Sequence, residues 1–318
     1  MKNKPLLPLF LTILLTSCSN NAAGIKSKIF CFDTYISTQL FDGKNDDLHV
    51  IENIFSKYDK LSDNYLDRNI NNIYKINHTN EEVEVDQDLY LMLKKTFEIH
   101  DEGITNFHPL CGSLAKKWKE AISKKEVLDN ETITSELEKM NSTTISFLDN
   151  NKIQRTGNGE IDLGGIAKGY TLDIVSSYLK ENNLHQYIIN AGSSSVLLGE
   201  KNSNNGFFNI GLEDVKNAYL KLKNCVVSSS SISKQSEKID GVNYSHIINP
   251  QTGSATPVND GVVVISSLGV YGDVLSTAMM NNTIDEIKEL ENKYNVKALV
   301  INDGKITYQN QDLEVLYH

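Results

Sequence analysis

Apolar residues recur at helical spacing in four stretches of the chain. Ile51, Ile54, Phe55, Tyr58 and Leu61 form one stripe, and Leu89, Met92, Leu93 and Phe97 a second. Ile166, Tyr170, Ile174 and Tyr178 mark a third helix that begins just after Gly164-Gly165. Ile284, Ile287, Leu290 and Tyr294 mark the fourth, whose start carries a capping box formed by Thr283 and Glu286. Between and after them lie runs rich in Val, Ile, Tyr and Phe and bounded by Gly or Asn. These runs, at 186–190, 195–198, 207–212, 218–227, 262–266 and 297–301, read as strands. Strands often succeed one another without an intervening helix. That order predicts an α+β fold of mixed or antiparallel sheets with packed helices, not a doubly wound parallel sheet. The Asn-rich stretch Asp63–Asn80 reads as loop with at most a short helix, and no fixed-period repeat interrupts the pattern.

The first residues follow a different pattern. Lys2 and Lys4 precede the apolar run Leu6–Leu15, which is too short for a spanning helix of ~20 residues and reads as a secretory signal. The run ends Leu15-Thr16-Ser17-Cys18, which resembles a bacterial lipobox; the plainer alternative is an ordinary signal peptide with a chance cysteine. The expected organisation is a signal peptide at 1–17, lipidation at Cys18, a small polar tether at 18–28 and one domain at 29–318. Such a protein is exported and held on the cell membrane's outer face by lipid chains.

Composition changes the picture little. Hydrophobic residues make up 40% of 318, enough for a packed core. The formal charge is −10, and loss of Lys2 and Lys4 with the signal leaves about −12, which argues against a nucleic-acid partner. Besides Cys18, the cysteines are Cys31, Cys111 and Cys225. An odd number at wide spacing makes neither a zinc site nor a disulfide framework; small core residues are the simplest reading, with one disulfide left open.

Three segments carry candidate chemistry. Glu160-Ile-Asp162-Leu-Gly-Gly165-Ile-Ala-Lys168-Gly169 puts two glycines before a helix, so the backbone can approach a ligand and the first helical N–H groups are expected to be free for an anion; a tight turn into a core helix is the alternative. It satisfies neither the Walker pattern nor the dinucleotide fingerprint. In Tyr271-Gly-Asp273-Val-Leu-Ser-Thr277, a helix would place Asp273 and Thr277 on one face as hard oxygen ligands suited to Mg²⁺; an N-cap Asp with a solvent-facing Thr is the alternative. In Tyr244-Ser-His246-Ile-Ile-Asn249-Pro-Gln-Thr-Gly253, His246 precedes a turn, where an imidazole can act as a base or be satisfied by local backbone.

The order of these segments resembles the ApbE family of FAD:protein FMN transferases, from Phe32-Asp33-Thr34 to Ala278. Asp-Leu-Gly-Gly-Ile-Ala-Lys-Gly stands in full at 162–169. Phe107-His108-Pro109 through Trp118, Asn190-Ala-Gly-Ser193, Tyr244–Gly253 and Asp273–Ala278 resemble the family's further motifs. The resemblance implies an ApbE-like, T-fold-related architecture. It implies that Asp162, Lys168 and Phe32 contact FAD, that the Gly165 carbonyl, Asp273 and Thr277 hold Mg²⁺, and that His246 assists an attacking hydroxyl. The implied reaction attaches FMN to Thr or Ser of an exported client protein and releases AMP. FAD hydrolysis to FMN and AMP, and noncatalytic flavin binding, are the alternatives. The chain departs from the family at Phe32 (usually Met), Ser193, Ser245, Asn249 and the serine run Ser228–Ser231. It lacks the family's client motif, so self-modification is not expected.

Overall fold

The computed structural model describes residues 24–192, 194–201, 206–233 and 235–318. Cys18 and the signal sequence lie outside the described residues. The chain opens with a hairpin of β1 (Ile25–Cys31) and β2 (Thr34–Leu40), so the stretch read as a tether ends in a strand whose Ile25, Ser27 and Ile29 alternate with exposed lysines. Next come α1 (Asn45–Ser62), α2 (Ile73–Asn77), β3 (Glu82–Glu84), α3 (Gln87–Asp101), α4 (Gly112–Lys124) and α5 (Asn130–Ser142). Strands β4 (Thr144–Leu148) and β5 (Lys152–Thr156) lead to α6 (Ala167–Glu181). Seven strands follow: β6 (Tyr187–Ala191), β7 (Ser195–Leu198), β8 (Phe208–Gly211), β9 (Ala218–Leu222), β10 (Cys225–Ser231), β11 (Ser236–Ile239) and β12 (Val242–Ser245). The chain ends with β13 (Gly261–Ser266), α7 (Gly269–Met279), α8 (Ile284–Tyr294), β14 (Lys297–Asn302), β15 (Lys305–Gln309) and β16 (Val315–Tyr317).

The centre is an eight-stranded, wholly antiparallel sheet in the order β1-β2-β6-β7-β10-β13-β14-β15. Its period-two alternation feeds two cores. On β13, Val262 and Val264 face the helices, whereas Val263 and Ile265 face a small sheet, β16-β9-β8. On β14, Ala298 and Val300 divide from Leu299 and Ile301 in the same way. A strand covered on both faces reads as an unbroken apolar run, which is why these strands are plain in the sequence. The run read as one strand over 218–227 is instead two, β9 and β10, in different sheets. Asn224, at φ 51°, turns the chain between them.

Helix α7 runs across the central sheet and is buried on nearly every side. It comes so close to the strands that a Cβ on Gly272 would sit 2.6 Å from Ser228 Oγ and 2.8 Å from Ser266 Oγ. Helix α6 packs alongside it.

A buried arginine organises the opposite side. Among the described residues, Arg155 on β5 is held by carbonyls, with the Glu160 charge nearby. It donates to five backbone carbonyls, those of Ile76, Asn77, Thr79, Gly157 and Gly159. Two of these lie in the last turn of α2, where a cation also complements the helix dipole. Burial lowers the guanidinium pKa, yet the group remains a cation. Arg155→Ala would strand these carbonyls and is expected to cost about 3 kcal/mol or more of stability. Arg155→Lys keeps the charge without the planar fork and should recover little of it. Denaturant midpoints at constant slope measure both, and an Ala variant within 1 kcal/mol of wild type (about one bond's worth) would contradict this account.

Candidate active site at the crossing of two helices

The segment leading to Asp162 is held as though it were a strand. Asn77 brackets Ile161 with its amide, donating from Nδ2 to the Ile161 carbonyl at 2.9 Å and accepting the Ile161 N–H at 2.8 Å. The Asp162 N–H donates to the Pro109 carbonyl, and the Glu160 carbonyl accepts from Gly112 N–H, both at 2.9 Å. Phe107-His108-Pro109 therefore supports Asp162 from one side and Asn77 from the other. One Asp162 carboxylate oxygen accepts the Gly164 N–H at 2.7 Å and closes the turn that starts α6.

That turn corrects one expectation. Ile166 and Ala167 N–H both donate to the Leu163 carbonyl, and Gly169 N–H donates to Asp273 Oδ2 at 2.7 Å. The N–H groups of Ile166, Ala167 and Gly169 are therefore not free for an anion, because the tight turn and a neighbouring carboxylate already take them. Lys168, the second residue of α6, supplies the positive charge there.

Asp273 lies in the second turn of α7 and is 6% exposed, so it is not an N-cap. Ser195 and Ser228 each donate to Oδ1 at 2.7 Å. The two serines are register partners on β7 and β10, so the sheet itself aims both hydroxyls at one oxygen. Burial raises the Asp273 pKa, while Lys168, the serines and the Gly169 N–H pull it back towards the charged form.

Thr277 follows one turn later on the same face. Its Oγ1 is 3.4 Å from Ser230 Oγ, and a Cβ added to Gly165 would lie 3.4 Å from it. The fold thus brings Gly165, Asp273 and Thr277 to one place from segments about a hundred residues apart. A carboxylate, a hydroxyl and a backbone carbonyl are hard donors. With phosphate oxygens and water completing the shell, they fit Mg²⁺, which seldom takes an all-protein cage.

His246 sits just beyond β12. Its backbone N–H donates to the Gln235 carbonyl at 3.2 Å, and its Nδ1 lies 3.4 Å from the same oxygen. An Nδ1–H directed there leaves Nε2 as the lone-pair nitrogen. Much of the ring is open to solvent, yet it has many neighbours. Their desolvation lowers its pKa, with Lys168 and Lys119 adding to the fall and Gln235 and Asp162 opposing it. The Lys168 charge therefore acts on both His246 and Asp273, and that of Asp162 on His246. The His246 loop is pinned by Trp118, whose Nε1 donates to the Gly253 carbonyl at 2.8 Å and whose ring stacks on Tyr244.

Phe32 turns the β1–β2 hairpin at φ 53°, with Asp33 at 55°. Left-handed backbone is costly for a bulky residue, and a bond from Phe32 N–H to Asp59 Oδ1 at 2.6 Å secures it. Its ring packs partly buried against two of the hydrophobic cores.

Some participants escaped sequence reading. Ser195 and Ser228 gave no spacing signal, although the serine run on β10 did mark the place. Tyr65 stood unmarked in the Asn-rich stretch. It is 47% exposed, has Lys116 and Lys119 within 5.1 and 4.8 Å of its ring, and feels the charges of Asp162 and Asp33.

A model described as the ApbE family matches residues 32–300. The chain belongs to the ApbE family. Among curated relatives, the FAD:protein FMN transferase of Treponema pallidum is 25% identical over 217 residues, covering 62% of this chain and 60% of that protein. The enzyme of the same name from Klebsiella pneumoniae is 29% identical over 195 residues, covering 57% and 58%. The matched part thus spans about three fifths of each relative's length. The crystal structure of the ApbE protein of Thermotoga maritima has the same fold, with a TM-score of 0.77 at 23% identity over 90% of this chain and 97% of that one.

His108 lies in the Phe107–Pro109 segment that supports Asp162. Its Nδ1 accepts the Leu110 N–H at 3.2 Å, and its ring meets His100 edge to face at 4.4 Å. Burial, with His100 beside it, pushes its pKa down to about 4. The unfolded chain takes up this proton first, near the ordinary value of ~6.5. The stability from a neutral His108 is therefore full above ~6.5 and is lost as pH falls through about 4. His108→Gln, which keeps an acceptor but cannot titrate, should flatten the fall in unfolding free energy over this window. An unchanged slope would show that His108 does not drive it.

Proposed function

We propose that the chain is an FAD:protein FMN transferase. The observation that carries this reading is the convergence of Gly165, Asp273 and Thr277 beside Lys168, in a chain whose family relatives bear that name. FAD is the donor substrate. A Ser or Thr hydroxyl of a client protein attacks the phosphorus on the FMN side, forming a new P–O bond. The diphosphate P–O bond breaks, and AMP leaves with the bridging oxygen.

Mg²⁺ held by Asp273, Thr277 and the Gly165 carbonyl would offset the diphosphate charge. The chain's own residues supply the rest. Lys168 adds a cation at the start of α6. Asp162, fixed through its neighbours by Asn77 and Pro109, offers a carboxylate oxygen to a flavin N–H. Nε2 of His246 accepts the hydroxyl proton, and its depressed pKa keeps it unprotonated below the usual imidazole range. Much of the acceleration is positional, because a neutral hydroxyl is a poor nucleophile in water.

The test combines FAD, Mg²⁺ and an exported protein carrying the family's client segment. Covalent flavin on the client supports transfer. Free FMN means that water is the acceptor, and unchanged FAD would leave only binding. Asp273→Ala should abolish most product at ordinary Mg²⁺, with partial rescue at high Mg²⁺. His246→Ala should cost ~10²–10⁴-fold in single-turnover rate at unchanged FAD affinity. The wild-type rate should rise with pH through a midpoint below ~6.5; a His246→Ala rate within a few-fold of wild type would remove the base from the scheme.

We also infer that the protein is exported and lipid-anchored through Cys18, a reading supported only by the pattern of residues 2–18. Mass spectrometry of the mature N-terminus should find a lipidated Cys18, and an unmodified mature chain starting elsewhere would refute this.

A further inference from the structure

Helices α6 and α7 are joined by a reciprocal contact. Gly169 and Gly269 meet backbone to backbone: a Cβ on Gly169 would lie 2.1 Å from the Gly269 carbonyl, and one on Gly269 would lie 2.4 Å from the Gly169 carbonyl. One helical turn beyond each glycine stands an aspartate, giving Gly169-x-x-x-Asp173 and Gly269-x-x-x-Asp273. Each aspartate accepts the other glycine's N–H, from Gly169 to Asp273 Oδ2 at 2.7 Å and from Gly269 to Asp173 Oδ1 at 2.6 Å. Asp173 Oδ2 also accepts Val270 N–H at 2.9 Å. Leu268, the N-cap of α7, makes no side-chain cap, so Asp173 caps α7 from the neighbouring helix.

The two aspartates differ in what surrounds them. Asp173 spends both oxygens on the first turn of α7. Asp273 has its two serines and lies beside Lys168 and Thr277. We infer that Asp173 is a positioning residue for Asp273. By fixing the start of α7, it sets the height and rotation of the helix that carries Asp273 and Thr277, and the Gly169 N–H then orients the Asp273 carboxylate. This inference rests on the proposed metal role of Asp273 for its functional consequence, and on the helix contact alone for its mechanism.

Two readouts separate these. The first is hydrogen exchange at the Gly169 amide, which Asp173 does not touch. Asp173→Ala should speed it at least tenfold, because a displaced α7 withdraws Asp273 from it. The second is calorimetric titration of Mg²⁺ into the FAD-loaded protein without client. Asp173→Ala should weaken binding ~10–100-fold, the usual cost of losing an outer-shell partner. Asp173→Asn, which retains one good acceptor, should fall between. Leu172→Ala, on the same turn but buried in the core against α1, is the control for general loss of stability. It should lower the melting temperature with little effect on either readout. Unchanged Gly169 exchange in Asp173→Ala, or equal changes in Leu172→Ala, would overturn the inference. If wild type bound no Mg²⁺, the proposed function would fail, and the exchange at Gly169 would still decide the clamp.

Discussion

Removing a carboxylate from water costs several kcal/mol unless donors replace the lost hydration. Asp273 lies deep between a helix and a sheet, and its donors come from β7, β10 and α6. None of these can move independently without stranding the charge. The demand is met by specific geometry. Adjacent strands place Ser195 and Ser228 at one register position, and two glycines let α6 come near enough for a backbone N–H to reach the carboxylate. The same crowding explains the apolar character of α7 elsewhere: a helix buried on most sides can carry few other polar groups.

The other wall of the site is held by a different principle. Around Asp162 the chain lacks regular structure, and its backbone groups are met by side chains and loops instead of a ladder. Asn77 imitates a strand partner for Ile161, and Arg155 gathers carbonyls from both flanks. Side chains can match an irregular segment in a way that a sheet cannot. Rigidity on both walls is what a reaction that relies on positioning requires.

How far the sequence reveals this follows from the same physics. Helices with a full apolar stripe, α1, α3, α6 and α8, are legible, and the Thr283–Glu286 capping box is present as expected. Helix α5 buries only Glu136 and Met140 and so has little stripe to read, whereas α4 does carry one, Leu114, Trp118 and Ala121 at helical spacing, which periodicity could have revealed. Asp273 and Thr277 were visible as an i, i+4 pair because both ends of the relation lie in one helix. Ser195, Ser228 and Asp173 were not, because their relation to the site exists only across β7, β10 and the α6–α7 crossing. Local periodicity records what one element buries; it holds no record of which distant element supplies the compensating donor.

The departures from the family pattern make sense in the same terms. Asn249 accepts the N–H groups of Gln251 and Thr252, which is all the turn asks of its side-chain oxygen. Ser245 is buried and accepts Ile247 N–H, a local backbone task that a hydroxyl performs. On β10 the alternation of the strand decides the matter. Ser228 and Ser230 bond to α7, at Asp273 and at Ser276 and Thr277, so hydroxyls stand where the helix needs them. Ser231 instead pairs with Ser233 near the surface. A serine run that looks like erosion of a motif when read as a string keeps, on the strand's inward face, one hydroxyl that the buried carboxylate depends on and another that bonds the helix carrying it.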